Sequence, residues 1–497
     1  MIMNCYNDLL KTYNSRGDFV AVKTEQQSFT LKELLFSSSH FSNYLNSVLN
    51  EKECVSIFLP NSYEAIISFY ACCKSGHNVN LIHFSESSES VISKMKATAS
   101  HFLITNKSGA SLLGKKASKI SLFVIDEYKS DFSPAELLPS QNSGKIFLNG
   151  GGTSGENNTV ILSEQNICKV CEHIKPITEN LEYGKESSLL IIPFSHAFGL
   201  SVAMHLSLIC GLTVIPISKF DVENVSYYLQ NQNVSFLVGV PAVFEKLVNS
   251  DFFKGDFLKN FKLLFCGGDF VPEKLIENVN SLISSYGGKG KLYSGYGLTE
   301  TASVCSVNTS KYNKPFSVGK PIDNIKINIV DENNNFCEAD TVGEIAVCGD
   351  TVTDGYLNSQ YQPFFYDKNS IKWLLTGDLG YLDNEGYLYI TGRKKRVIII
   401  SGFNVYPAYL ESMLFSLDYI KVCCAVQCLD NSKPAIKLFV VPLSMDNQQA
   451  VKNKIIEYIK NNFSKYYIPK EIEFVNSLPR TPLGKIDYKK LEKDVLT

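Results

Sequence analysis

Two stretches of this chain run strand, helix, strand with little between the elements. VSIFLP (55–60) is an apolar run of strand length, EAIISFYACCKSG (64–76) an amphipathic helix closed by a glycine, and NVNLI (78–82) a second strand. The pattern returns at SFLVGV (235–240), PAVFEKLVNS (241–250), KLLFCGG (262–268), PEKLIENVNSLI (272–283) and KLYSGYG (291–297). Strands joined through helices pair in parallel, and a parallel sheet is buried on both faces. The predicted fold class is therefore α/β with mainly parallel sheets. Ligands of such sheets bind at loops beyond the carboxyl ends of the strands. Here those loops are residues 193–199, 266–270 and 294–300.

Around residue 340 the texture changes to short strands with turn residues, GEIAVCG (343–349) and NEGYLYI (384–390). A basic run, GRKKR (392–396), precedes a last segment with its own apolar stretches and a helix, VKNKIIEYIKNNF (451–463). This predicts a large domain over residues 1–394 and a small α+β domain over 395–497. The length of 497 residues accommodates both.

Charge narrows the partners. The formal net charge is −2, which does not favour general binding to nucleic acid or an anionic membrane. From Arg396 onward 14 Lys and Arg stand against 10 Asp and Glu, so only this end is basic. The fourteen cysteines and the absence of a basic-then-apolar start predict reduced thiols and a cytoplasmic protein. Cys168 and Cys171 form a lone CxxC without a second pair at suitable spacing, so no metal site is expected from that motif. Residues 187–218 carry no Asp, Glu, Lys or Arg, but prolines and glycines interrupt them. Two core strands, SLLIIP (188–193) and LTVIPI (212–217), flanking a helix are predicted there rather than a membrane span. His205 is expected to be a core residue of that helix.

LNGGGTSGENNTVIL (148–162) has the small, glycine-dense composition of a loop that wraps phosphates. It is not a Walker loop, because no lysine follows and strands, not a helix, flank it. A helix is expected to start only after Ser163. Thr153 and Ser154 offer hydroxyls, and the glycines allow close backbone approach.

Five further stretches follow in order: PFSHAFGL (193–200), GYGLTE (295–300), GEIAVCG with DGYL (354–357), LLTGDLGYLDNEGYLYITGRKKR (374–396) and PRTPLGKIDYKKL (479–491). Together with the loop they resemble the adenylate-forming, AMP-binding family of acyl-CoA synthetases and related carboxylate ligases. The resemblance runs from FTLKEL (29–34) to the end of the chain.

That resemblance implies two steps. A carboxylate attacks the α-phosphate of MgATP to give acyl-AMP and pyrophosphate. A thiol, of CoA or of a carrier-protein phosphopantetheine, then displaces AMP. Gly151, Gly152, Thr153, Ser154 and Gly155 are expected to hold the β- and γ-phosphates, and Glu300 the Mg²⁺ ion, a hard cation that takes oxygen ligands. Thr299 is expected on the α-phosphate, and Tyr296 and Gly297 with Gly268 and Asp269 around adenine. Asp378 is expected to accept from the ribose hydroxyls and Arg393 to donate to the ribose or phosphate.

Lys485 takes the place of the lysine that bridges carboxylate and α-phosphate, where a fixed ammonium stabilises charge built up in the transition state. His196 takes the place of the residue that gates the acyl pocket. The candidate pocket wall is His196, Phe198, Val240, Pro241, Phe270 and Ser294. Lys395 matches the hinge about which the small domain turns between half-reactions, bringing Ser401, Gly402 and Phe403 to the nucleotide.

The chain departs from the family's usual TSGTTGxPKG loop. Asn157 and Asn158 replace its proline and lysine, so weaker ATP binding or a slower first step is expected. A nucleotide- or acyl-binding pseudoenzyme is the alternative. Retention of Glu300, Asp378, Arg393 and Lys485 favours the ligase. No acidic residue lies between Glu186 and Asp221, where amino-acid-activating members hold the α-amino group, so a fatty or aryl acid is expected. Any carrier protein is expected to be a separate chain.

Overall fold

The computed structural model describes residues 2–128, 137–149, 159–357, 360–430, 433–480 and 486–496. The two strand–helix–strand stretches belong to two different sheets. In the nine-stranded sheet the order is Lys320–Pro321, Ser306–Val307, Lys291–Tyr296, Leu263–Cys266, Val234–Gly239, Ser187–Leu190, Thr213–Pro216, Val20–Lys23, Ser28–Thr30. Its pairings are parallel from Lys291–Tyr296 through Val20–Lys23. The seven-stranded sheet runs Gly355–Tyr356, Thr159–Ser163, Lys145–Asn149, Asn78–Leu81, Cys54–Phe58, Phe102–Thr105, Ser121–Val124, with a parallel interior. The α/β fold with mainly parallel sheets is thus observed.

Each sheet contains a point where the chain turns back the other way. From Ser187–Leu190 the next strand, Thr213–Pro216, lies on one side and the one after, Val234–Gly239, on the other. Cys54–Phe58 sits in the same way between Asn78–Leu81 and Phe102–Thr105. Such switch points open a crevice at the carboxyl ends of the strands. Asn61 ties the two together. Its buried amide donates to the Leu190 carbonyl at 2.9 Å, and its Oδ1 accepts from the Phe194 N–H at 2.9 Å.

Local signals explain the helices. Ser62 caps Tyr63–Ser75, which ends at Gly76 in the left-handed region. The expected start after Ser163 is observed: its hydroxyl accepts from the Asn166 N–H at the head of Glu164–Ile174. The helix predicted between SLLIIP and LTVIPI departs from expectation. Residues Gly199–Leu206 wind as a π-helix before a short α-helical turn, Ser207–Ile209. Its start is crowded: a Cβ on Gly199 would lie 2.1 Å from the Pro193 carbonyl oxygen, which only glycine avoids. No described helix is long and apolar enough to cross a membrane.

The change of texture near residue 340 falls within an antiparallel sheet of Lys326–Val330, Gly343–Cys348, Lys372–Leu382 and Phe364–Tyr366, with Leu388–Arg393 paired to Lys372–Leu382. Beyond it, a hairpin of Ile398–Ile400 and Phe403–Val405 and a sheet of Ile420–Asp430, Lys433–Pro442 and Glu471–Phe474 pack with Pro407–Leu414 and Gln448–Asn462 around a separate apolar core.

Candidate active site

The strand Lys372–Leu382 places Asp378 directly opposite Arg393 on Leu388–Arg393. Arg393 Nε meets Asp378 Oδ1 at 2.9 Å, and the Tyr296 hydroxyl donates to Asp378 Oδ2 at 2.8 Å. Asp378 is buried, and the Thr376 hydroxyl accepts its backbone N–H at 3.1 Å. Tyr296 ends the strand Lys291–Tyr296 at the edge of the parallel run, and the carboxylate holds its phenol oxygen in place. Burial, then the charge of Asp378, pushes the Tyr296 phenol well up, so it stays a donor. The attraction of Asp378 raises the Arg393 guanidinium further. This pairing brings together three residues expected around adenosine.

Glu300 lies in the tight turn Thr299–Thr301, immediately beyond that strand. The turn closes hard on itself. A Cβ on Gly297 would lie 1.6 Å from the Ser303 carbonyl oxygen, so the second glycine of GYGLTE is a packing requirement. The Tyr356 hydroxyl donates to Glu300 Oε1 at 2.9 Å, and the Thr353 N–H donates to the Glu300 carbonyl at 2.7 Å. Burial raises the Glu300 carboxyl and Asp378 adds to it; the Tyr356 bond and Arg393 act the other way. A carboxylate so placed favours a cation at its oxygens, the donor chemistry that suits Mg²⁺.

Tyr356 was not singled out from the sequence, although it stands inside DGYL. Its strand Gly355–Tyr356 pairs with Thr159–Ser163, opposite Val160. One short segment therefore supports both Glu300 and the strand that leaves the glycine-rich loop. At the base of that loop, Lys145–Asn149 and Thr159–Ser163 pair antiparallel, and Thr159 Oγ1 donates to Asn149 Oδ1 at 3.1 Å. This is the flanking pair of strands the sequence predicts. Gly151, Gly152, Thr153, Ser154, Gly155, Asn157 and Asn158 lie outside the described residues, as does Lys485.

Arg480 and Ile486, which lie on either side of Lys485 in the sequence, form an antiparallel bridge. The Glu245 carboxyl, on the helix Pro241–Val248, is pushed up by burial and drawn back by the Arg480 cation. Gly268, at φ 81°, and Asp269 are exposed in the loop after Leu263–Cys266.

His196 is half-buried, its N–H bonded to the Pro193 carbonyl at 2.9 Å, with the His83 ring 5.4 Å away. His83 was missed, being far off in sequence and without a motif. Phe198 and Val240 are half-buried and Pro241 is buried. Phe270 is 41% exposed and meets Phe415 of the C-terminal segment, ring centroids 6.1 Å apart. The Ser294 hydroxyl is committed within the protein, donating to the Ser317 carbonyl at 3.1 Å and accepting from Asn308 at 3.0 Å. His205 is fully buried, as expected of a core residue.

Lys395 is exposed in the 3-10 turn Lys394–Arg396, and its neighbours are anchored on opposite sides. Lys394 pairs with Glu344 of the antiparallel sheet at 2.8 Å. Arg396 pairs with Glu411 of the C-terminal segment at 2.6 Å. Ser401 and Gly402, at φ 52° and 84°, form the tip of the hairpin Ile398–Val405, with Phe403 stacked on Tyr466 at 4.1 Å.

Residues 10–357 match the family model described as AMP-binding enzyme, and residues 409–485 that of the AMP-binding enzyme C-terminal domain. A long-chain-fatty-acid–CoA ligase of Bacillus subtilis (strain 168) is 30% identical over 78% of this chain and 69% of its own length. A 2-succinylbenzoate–CoA ligase of the same strain is 26% identical over 97% and 96%. An o-succinylbenzoate CoA synthetase from Bacillus subtilis, solved with an acyl-adenylate intermediate, superposes with a TM-score of 0.82 at 25% identity, covering 98% of both chains. ATP-bound MatB from Rhodopseudomonas palustris shares the fold, with a TM-score of 0.85 at 19% identity over 99% of each chain.

Proposed function

The chain belongs to the AMP-binding enzyme family, as an AMP-forming acid–CoA ligase that activates a carboxylic acid with ATP and passes the acyl group to CoA, and from this premise we propose the residues that do so and the class of acid. The observation that carries the site is the convergence of Tyr296, Arg393 and Asp378 beside Glu300.

In this reading Asp378 receives the ribose hydroxyls. A carboxylate has about four lone-pair sites, so the bonds from Tyr296 and Arg393 orient it without exhausting it. The Tyr296 ring lies against adenine, and Gly268 and Asp269 border the other face. Thr299 bonds the α-phosphate, and residues 151–155 hold the outer phosphates. Mg²⁺ held by Glu300 would neutralise phosphate charge as pyrophosphate leaves. Lys485 bridges the acid's carboxylate and the α-phosphate, where negative charge gathers.

Lys395 is the hinge. The ion pairs of Lys394 and Arg396 belong to different bodies, so a backbone turn at the exposed residue between them moves one against the other. The exposed hairpin tip at Ser401, Gly402 and Phe403 then approaches the acyl-adenylate and guides the incoming thiol. CoA is the acceptor; a carrier-protein pantetheine is the second acceptor to examine. A cytoplasmic setting accords with fourteen cysteines free of disulfides.

The acid lies against His196, Phe198, Val240 and Pro241, a mostly apolar wall suited to an aryl or fatty chain. The end-to-end match with 2-succinylbenzoate–CoA ligases puts that aryl acid first, and the partial match with a fatty-acid ligase puts long-chain acids second. The test is acid-dependent pyrophosphate release from MgATP over a panel of aryl, fatty and amino acids, with Lys485→Ala in parallel. Release with one aryl or fatty class is expected, falling by roughly 10²–10³ in the variant, as for loss of a transition-state charge partner. Release with amino acids alone would overturn the substrate class, and an unimpaired Lys485→Ala would overturn the lysine's role.

A further inference from the structure

Three elements far apart in sequence bring a set of metal-binding atoms to one buried point. Cys5 opens the first helix, Cys5–Arg16, with Asp8 one turn on. Cys168 lies on Glu164–Ile174, the helix that follows the glycine-rich hairpin. His205 lies on the π-helix Gly199–Leu206, which follows the His196 motif. Cys5 and His205 are fully buried, and Cys168 is 3% exposed.

The spacing has the form of a coordination shell. The Cys5 and Cys168 sulfurs are 4.0 Å apart. Two thiolates held at about 2.3 Å in a tetrahedron are about 3.8 Å apart. The donor atoms of Cys5, Cys168 and His205 all lie within 4.8 Å of one another. Asp8 Oδ2 is 3.5 Å from His205 Nε2, beside this set but outside it.

The histidine supplies an independent indication. His205 Nδ1 is bonded to the Tyr70 hydroxyl at 2.9 Å, whereas Nε2 is buried with no hydrogen-bond partner among the described residues, the Asp8 carboxylate lying 3.5 Å away. An unsatisfied buried polar atom is destabilising. A proton on Nδ1, donated to Tyr70, leaves a lone pair on Nε2. Metal-bound imidazoles are oriented in just this manner by a partner on the second nitrogen.

From these contacts the geometry points to a structural site for a borderline-soft divalent cation, zinc in the first instance, bound by Cys5, Cys168 and His205. Soft sulfur with imidazole in a tetrahedron selects zinc over magnesium or calcium. Binding converts both thiols to thiolates and releases two protons to solvent, and the two negative sulfurs balance the charge of the ion. Among the described residues a second group, Cys5, Cys73 and Glu164, shares Cys5. It is the weaker candidate, because Glu164 already accepts the N–H groups of Cys5 and Gly144 at 3.0 and 2.9 Å. Cys171, the other half of the CxxC, points away and donates to the Ser201 carbonyl at 3.1 Å. The ion would pin the first helix to the helix behind the glycine-rich hairpin and to the π-helix behind His196. Its role is independent of which acid the enzyme uses.

The test uses the full chain without a polyhistidine tag, expressed with zinc and dialysed, with metal read by mass spectrometry. About one zinc per chain is expected, for the wild type and for a control variant, Cys337→Ser. Cys5→Ser, Cys168→Ser and His205→Gln are each expected to lower that content at least about tenfold. Cobalt added to metal-stripped wild type is expected to give the absorption of a tetrahedral thiolate site, with proton release on binding. Wild type that binds neither ion overturns the proposal, as does Cys168→Ser with its content unchanged. Should the variants fail to fold, the wild-type cobalt spectrum decides: thiolate bands support the site and their absence refutes it.

Discussion

Tyr296 and Asp378, 82 residues apart, are joined by a hydrogen bond of 2.8 Å in which the phenol donates to Oδ2. The bond fixes the position of the phenol oxygen and the direction of the carboxylate. Hydrogen bonds to charged groups contribute about 1.5–3 kcal/mol. Tyr296→Phe is expected to weaken AMP binding roughly tenfold, and Asp378→Asn at least as much. Calorimetric titration with AMP checks this, and unchanged affinity in both variants would remove the pair from the nucleotide site.

Asn158 stands where the resembling family places a lysine near the leaving pyrophosphate. Charge-assisted hydrogen bonds are roughly twice as strong as neutral ones. Asn158→Lys is expected to lower the KM for ATP or raise the adenylation rate, by roughly three- to tenfold. Steady-state pyrophosphate release reads both parameters, and the idea fails if neither moves.

Lys395 lies between two anchored residues, so its backbone has to absorb any turn of the C-terminal body. Proline fixes φ near −65°. Lys395→Pro is expected to preserve acid-dependent ATP–pyrophosphate exchange while slowing acyl-CoA formation at least about tenfold. Equal loss in both half-reactions would show that Lys395 is not a hinge.

Arg396 and Glu411 form a nearly buried pair with two N–H···O contacts, and Arg396 also donates to the Ala425 carbonyl at 3.2 Å. Removing one partner strands the other charge. Arg396→Met is expected to destabilise the C-terminal body by about 3–5 kcal/mol, with much of that recovered in the Arg396→Met, Glu411→Leu double variant. Urea unfolding of the three proteins measures it, and a single variant within about 0.5 kcal/mol of wild type would contradict it.

His77 is 1% exposed, and among the described residues neither ring nitrogen has a hydrogen-bond partner. Burial holds its pKa below the usual histidine range. Below about pH 6.5 the unfolded chain therefore binds a proton that the folded chain resists, so this group's contribution is intact above that pH and is lost as the pH falls. His77→Leu is expected to flatten the fall of Tm between about pH 7 and pH 5. A slope identical to wild type would mean that other groups set the acid limit.

Much of the site was legible because its chemistry sits in contiguous motifs. GYGLTE names Tyr296 and Glu300, and LLTGDLGYLDNEGYLYITGRKKR holds Asp378 and Arg393 on strands whose turn sets their pairing. Ser163 was legible as a cap because a cap acts on the next turn of its own helix. Phe270 shows the limit. Its loop is identified by position after a strand, but whether the ring faces the acid or Phe415 depends on where the C-terminal segment packs.

The sequence by itself determined the alternation of strands and helices, the order of the motifs and the kinds of groups available. These follow from local periodicity, capping and residue chemistry, which act over a few positions. Only the tertiary structure decided that Tyr356 supports Glu300, that Asn61 joins the two sheets' crevices, and that Cys5, Cys168 and His205 meet. Those contacts join positions 56 to 200 residues apart. They depend on strand order, pairing register and helix packing, and shifting a strand by one residue would turn its side chains to the opposite face.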